Sequence, residues 1–390
     1  MSQPSESGYT GRFESHPAGA RRKKKSFRGL LALLLVLLSA ARILATGLKA
    51  ANLADFYLGG RDSLIDPNVH VSIGDKLQSS DQGKTLQVLE SGDPIPSDED
   101  YVIKLDDGQR LFYQGHTYQI NDKLSTVLVL GIDSSIDPET GSAEATSQAD
   151  VLLLVGIDTE TGKGTILNIS RETYAQVNVY SVGGNFIETT YEQISTAFGH
   201  SDGGIRSCEN TRTAVQTLLY ELPISFYVAI DMDGIVAANE AVGGVTVKSL
   251  FTSEMPDGTT VNEGELITLH GRNLDRYIRR RSHTAIDSNE ARMQRQKQYV
   301  TEFSKVVIEK ARDDISFPVD LFSSLSQYML TDLEIPNVTF LSKCFLQNGA
   351  HFTYRTLKGT YQVPNGSSMF YPDEIDLFEA ILLLYYKQID

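Results

Sequence analysis

Residues 126–169 read TVLVLGIDSSIDPETGSAEATSQADVLLLVGIDTETGKGTILNI, and three apolar runs stand out in them, at 126–132, 151–157 and 164–169. Each has the length of a strand and is bounded by turn residues. A strand wet on one face alternates apolar with polar residues, whereas a near-continuous apolar run fits one covered on both faces. The runs therefore predict the centre of a layered α/β domain. Working outward, 191–198 and 208–222 read as helices, the second from Ala214, Leu218, Leu219 and Leu222 at helical spacing. Residues 226–230 return to strand, 234–242 to helix and 245–250 to strand. A long helix over 288–311 carries Met293, Val300, Phe303 and Val307 along one face, with Asp287 and Glu290 as its start signal. The expected fold is α/β, a mixed central sheet with helices on both faces. Residues 313–390 complete the same unit, so the main domain is expected over 117–390. Before it, 49–116 breaks into short pieces (69–73, 101–105, 110–113) between Gly, Asp and Pro, a small β-rich lead-in.

The beginning of the chain is of another kind. Residues 21–28 read RRKKKSFR, and the uncharged stretch 29–41 has six leucines in its first nine positions. A basic flank stays on the cytoplasmic side of an apolar segment. The expected arrangement is a polar cytoplasmic tail at 1–28, one transmembrane helix at 29–48 and everything later outside the cell. Arg42 interrupts the apolar run and can snorkel to the outer headgroups. A cleaved signal peptide is the competing reading, from the small residues Ser39, Ala40 and Ala41.

The 390 residues, 41% of them hydrophobic, suffice for a large core. A net charge of −15 excludes general nucleic-acid binding, which needs a basic excess. Cys208 and Cys344 are too few for a disulfide framework and form either one bridge or two buried thiols. No Gly-x-Ser-x-Gly, His-Glu-x-x-His or phosphate-loop pattern occurs, which leaves hydrolase, zinc protease and nucleotide-triphosphatase readings without support.

Against that acidity, seven arginines and no lysine fall between positions 272 and 295: Arg272, Arg276, Arg279, Arg280, Arg281, Arg292 and Arg295. Their planar forks suit bidentate binding of phosphate or carboxylate. Arg292, Arg295 and Tyr299 lie three and four apart, on one side of the last helix. Asp133 follows the first apolar strand, Asp150 precedes the second and Arg171-Glu172 follows the third, at strand ends where α/β sheets collect ligands. Carboxylates beside arginines suit a divalent cation bridging phosphates.

These residues carry a resemblance. Segments 117–133, 149–172, 194–245 and 277–296 resemble, in order, the blocks of the LytR-CpsA-Psr domain, over roughly 117–310. The family's Tyr-Val-Arg-x-Arg and Arg-x-x-Arg-Gln are matched by Tyr277-Ile278-Arg279-Arg280-Arg281 and Arg292-Met293-Gln294-Arg295-Gln296, and its Gly-Gly-Val step by Gly243-Gly244-Val245. The resemblance implies a single-pass, membrane-anchored extracytoplasmic phosphotransferase. Such enzymes move a glycan phosphate from a polyprenyl pyrophosphate donor to peptidoglycan. It implies that Arg171, Arg279 and Arg281 grip the pyrophosphate, with Arg292, Arg295 and Gln296 completing the pocket. Asp133 and Asp150 would hold Mg²⁺ or act with Arg171 as the catalytic group. Four positions depart from the pattern: Gln148 replaces an arginine, Val151 a threonine, Glu172 an aspartate and Asn289 an aspartate. The departures admit a second reading, a non-catalytic lipid-binding or regulatory envelope protein. Met293, Val300 and Phe303 serve either the core or a slot for the prenyl chain.

Overall fold

The computed structural model describes residues 64–66, 71–72, 86–94, 101–144, 146–181, 183–279, 288–314, 316–347 and 351–390. The expected tail and membrane helix (1–28 and 29–48), Arg280 and Arg281 lie outside them. Among the described residues no helix is long and apolar enough to cross a membrane.

The three apolar runs are the strands Leu124–Ile132 (β1), Ala149–Asp158 (β2) and Lys163–Ile169 (β3), joined antiparallel. Every residue of β1 is buried, Ser125 and Thr126 included, as fits a near-continuous apolar strand covered on both faces. Phe226–Ile230 (β4) pairs parallel with β1, Met329–Thr331 (β5) antiparallel with β4, and His351–Thr356 (β6) parallel with β3. The result is a mixed sheet in the order β5-β4-β1-β2-β3-β6. The helix Ile205–Leu218 (α1) packs against β4 and β5, and Glu374–Tyr385 packs against β3. Three further helices concern the site: Met232–Ala241 (α2), Gly271–Arg279 (α3) and Ser288–Asp313 (α4). Between α2 and the strand Val245–Lys248, Gly243 and Gly244 both take left-handed backbone, and a Cβ on Gly244 would stand 2.4 Å from the His270 ring.

The tail is woven into the sheets. It supplies β5 and β6, while Tyr386–Gln388 pairs with His116–Ile120 at the edge of a five-stranded sheet that includes Tyr101–Leu105 and Arg110–Tyr113. The hairpin of Gly359–Gln362 and Met369–Pro372 reaches back to the loop after β3, where the Phe370 backbone N–H donates to the Glu172 carbonyl at 2.7 Å.

One expected helix is absent. Residues 191–198 belong instead to the strand Phe186–Gln193, paired with Tyr174–Tyr180, and to the short 3-10 turn Ile194–Ala197. The spacing of Ile194, Ala197 and Phe198 looks helical because a single turn buries all three. The strand before it is largely exposed and so shows no apolar period. Cys208 and Cys344 are both buried thiols, with no bridge between them. Burial pushes both thiols upward in pKa, away from thiolate character. Val300, Phe303 and Val307 of α4 are core residues.

Candidate functional site

The strand ends form the floor of the site. At the register shift between Gly131 and Ile132 the chain leaves β1, and Asp133 closes on the start of β2. The Asp133 N–H donates to the Gln148 carbonyl at 3.2 Å, and the Gln148 N–H returns a bond to Asp133 Oδ1 at 2.9 Å. Two residues on, the buried carboxylate of Asp150 is ion-paired with Arg171 Nη1. Arg171 Nη2 donates to Gln148 Oε1 at 3.1 Å. Asp133, Gln148, Asp150 and Arg171 are thus one connected network built from three strand ends. A buried carboxylate needs such a partner.

The helices bring cations to this network. Arg279, at the end of α3, pairs through Nη1 with Asp275 Oδ1 at 2.7 Å, and its Nε and Nη2 find no hydrogen-bond acceptor among the described residues. Burial pulls its pKa down, against the opposing pull of Asp275, then Asp133 and Asp233. Those carboxylates and Arg279 line an open cleft of about 510 Å³ together with Ser134 and Arg276. Arg292 on α4 is only 4% exposed, and its Nε and Nη1 likewise lack acceptors among the described residues. Burial pulls this guanidinium down to about 9, with Tyr361 favouring the charge and Arg295 opposing it. The Tyr361 hydroxyl lies 3.4 Å from Ser170 Oγ, beside Arg171.

The remaining expected residues are placed differently. Arg295 is buried with Nε donating to the Tyr277 carbonyl at 2.9 Å, its guanidinium 5.1 Å from the centre of the Phe251 ring. Gln296 Nε2 donates to the Ile278 carbonyl at 3.5 Å. Both side chains fasten α4 to the end of α3. Sequence reasoning did not single out Asp233 or Tyr361. Asp233 sits in the first turn of α2, where its Oδ2 accepts from Ser135 Oγ at 3.4 Å. An acidic residue there looks like any helix start. Tyr361 lies far along the chain in a hairpin with no motif of its own.

Of the two carboxylates expected to hold a divalent cation, Asp133 lines the cleft, while Asp150 is buried and engaged by Arg171. Among the described residues, no group of three or more His, Cys, Asp or Glu side chains converges to hold a metal. Mg²⁺ held at such a place would draw on one or two carboxylates, with its remaining ligands from water and substrate phosphate.

The sequence profile of the LytR_cpsA_psr family matches residues 102–381. The chain is 27% identical over 260 residues to biofilm regulatory protein A of Streptococcus mutans serotype c, covering 64% of this chain and 60% of that protein. It is 25% identical over 253 residues to polyisoprenyl-teichoic acid–peptidoglycan teichoic acid transferase TagU of Bacillus subtilis (strain 168), covering 64% and 73%. The chain therefore spans less than two thirds of the length of the first of these relatives. Of solved structures, B. subtilis TagV superposes with a TM-score of 0.51 at 22% identity over 67% of this chain and 96% of its own. A Streptococcus agalactiae protein does so with 0.54 at 24% over 67% and 86%. At these identities the superpositions establish the mixed α/β fold.

Proposed function

The chain belongs to the LytR-CpsA-Psr family, and on that premise we propose that it is a cell-envelope phosphotransferase. In this reading it moves a glycan phosphate from a polyprenyl pyrophosphate-linked donor to peptidoglycan. One observation carries it: Arg171 is paired with Asp150, Arg279 lies within electrostatic reach of Asp133, Arg292 lies within that of Tyr361 beside the Arg171 loop, and Arg279 and Arg292 keep buried N–H donors without acceptors among the described residues. A pyrophosphate is the chemistry that completes such a set.

Phosphoryl transfer spreads negative charge over the phosphate oxygens, so positioning and cationic stabilisation do most of the work. In the proposed step an acceptor hydroxyl attacks the phosphorus nearest the glycan. Its proton passes to a carboxylate, Asp133 or Asp150, and the bond to polyprenyl phosphate breaks. Arg171, Arg279 and Arg292, with Arg281, grip the pyrophosphate. Arg295 and Gln296 act by holding α4 against α3. Asp133 and Asp150 would hold Mg²⁺, which supplies charge neutralisation at the phosphates. The helix proposed over 29–48 anchors the chain in the bilayer, with the main domain extracytoplasmic.

A non-catalytic binder is the second reading, favoured by the Gln148 amide where the family pattern has an arginine and by Asp150 being engaged with Arg171. The two separate in an assay of transfer from lipid-linked teichoic acid to peptidoglycan, with and without chelator, across wild type, Asp150→Asn and Gln148→Arg. The enzyme reading expects transfer in wild type that both chelation and Asp150→Asn abolish. Transfer that survives both would overturn the carboxylate and metal roles. No transfer in wild type, with some in Gln148→Arg, would establish the binder.

A further inference from the structure

The hairpin Tyr174–Tyr180 and Phe186–Gln193 has two unlike faces. Ala175 and Val177 are buried on the side packed against α1. Register sets the other side: Tyr174 lies opposite Gln193, Gln176 opposite Tyr191, Asn178 opposite Thr189 and Tyr180 opposite Phe186. None of these side chains is charged, in a protein of net charge −15. Rings stand at both ends of the face, with amides and a hydroxyl between them. Phe186 is 57% and Tyr191 44% exposed.

The rings are fixed. Tyr174 stacks with Tyr191 at a centroid distance of 5.8 Å and meets Tyr371 of the tail hairpin at 5.1 Å, while Tyr180 and Phe186 meet edge to face at 6.0 Å. The polar groups are oriented as well, since the Thr189 hydroxyl donates to Asn178 Oδ1 at 2.8 Å and the Tyr191 hydroxyl to Gln176 Oε1 at 3.4 Å. Both bonds engage the amide oxygens, and neither amide NH2 has a hydrogen-bond acceptor among the described residues. Flat rings flanked by outward amide donors suit a pyranose chain, whose C–H faces pack on aromatic rings while its hydroxyl and N-acetyl oxygens accept from the rim. The tail hairpin covers the Tyr174–Gln193 end through Tyr371 and the Ser368 carbonyl, so the open face runs over the four steps from Gln176 to Tyr180, roughly 13 Å at about 3.3 Å each.

The foot of the hairpin adjoins the loop that carries Arg171. The Ser195 N–H, at the foot of the hairpin, donates to the Arg171 carbonyl at 3.2 Å, and Tyr361 of the tail hairpin stands beside Ser170. A polyphosphate glycan would call for cations along this track, and the face's own side chains supply none, Arg206 standing over the turn at Gly184 beyond its far end. We propose that the outer face of the hairpin binds the neutral, N-acetylated sugar strand of the acceptor and feeds its hydroxyl to the pyrophosphate held by the arginines. The proposal rests on the phosphotransferase reading above.

Retention of the purified protein on teichoic-acid-free glycan strands tests it, with Tyr191→Ala and the exposed Thr189→Asp as variants and farnesyl pyrophosphate binding as the control for the arginine site. Each variant is expected to lose retention about tenfold, with farnesyl pyrophosphate binding and melting temperature unchanged, and Tyr191→Phe is expected to keep it. Wild-type retention in either folded variant overturns the proposal, as does equal retention on a polyanionic teichoic acid. A wild type that holds glycan strands but not farnesyl pyrophosphate would instead refute the phosphotransferase reading and leave the sugar face standing.

Discussion

Within the single motif Arg292-x-x-Arg295 two neighbouring arginines divide their labour. Arg295 spends its Nε on the Tyr277 carbonyl and its plane on Phe251. Arg292, as deeply buried, has Nε and Nη1 without acceptors among the described residues. The sequence places both on one side of α4, but not this difference, which depends on where the end of α3 puts a carbonyl. A buried guanidinium without full compensation opposes folding. Burial lowers its folded-state pKa to about 9 while the unfolded chain keeps the ordinary value. The penalty is therefore complete below about pH 9 and shrinks as pH rises above it, because there the unfolded chain binds more protons. Arg292→Met should raise unfolding stability at pH 7 by about 1–4 kcal/mol and flatten the rise above pH 9. It should also remove the stabilisation that pyrophosphate gives the wild type. Denaturant titrations at pH 7 and pH 10, with and without pyrophosphate, measure all three effects. A less stable Arg292→Met that pyrophosphate still stabilises would mean that Arg292 is a packing residue.

The elements that carry these arginines are tied by one buried amide. Asn239 on α2 donates from Nδ2 to the Leu269 carbonyl at 2.8 Å, just before α3, and accepts the Tyr299 hydroxyl of α4 at 3.1 Å. Neither residue is exposed at all. Tyr299→Phe leaves the Asn239 oxygen unmatched and should cost about 1–3 kcal/mol in a urea titration. It should weaken pyrophosphate binding too, because α3 and α4 lose their common support. Unchanged binding would show that α4 is positioned by Arg295 and the core alone. Where burial made a pattern, the sequence disclosed its element: β1 to β4, and the helices α1, α2 and α4, fall within a few residues of their expected spans. It failed where exposure erased the pattern, as in the strand Phe186–Gln193, and where contacts are remote, as when Tyr361 of the tail reaches the loop of Arg171.

At the scale of the whole molecule, charge is segregated. The leader carries RRKKKSFR at 21–28, while the full chain has a net charge of −15, so the remainder of the chain is more acidic still. A protein this anionic repels phosphate polymers in general, and in the cleft at α3 Arg272, Arg276 and Arg279 stand against Asp133, Asp233 and Asp275. The basic run and the apolar stretch after it together predict orientation, since lysine and arginine beside a hydrophobic segment stay in the cytoplasm. Tyr386–Gln388 is paired with His116–Ile120, so a reporter fused after Asp390 reports on the side occupied by the folded domain. Alkaline phosphatase, active only outside the cytoplasm, should be active in that fusion, and a reporter that matures only in the cytoplasm should be silent. Replacing Arg21, Arg22, Lys23, Lys24 and Lys25 by glutamate should lower the phosphatase signal, because it would remove the charge expected to keep this segment in the cytoplasm. The reverse pattern, an inactive phosphatase with an active cytoplasmic reporter, would place the arginine cleft on the wrong side of the membrane for any peptidoglycan acceptor.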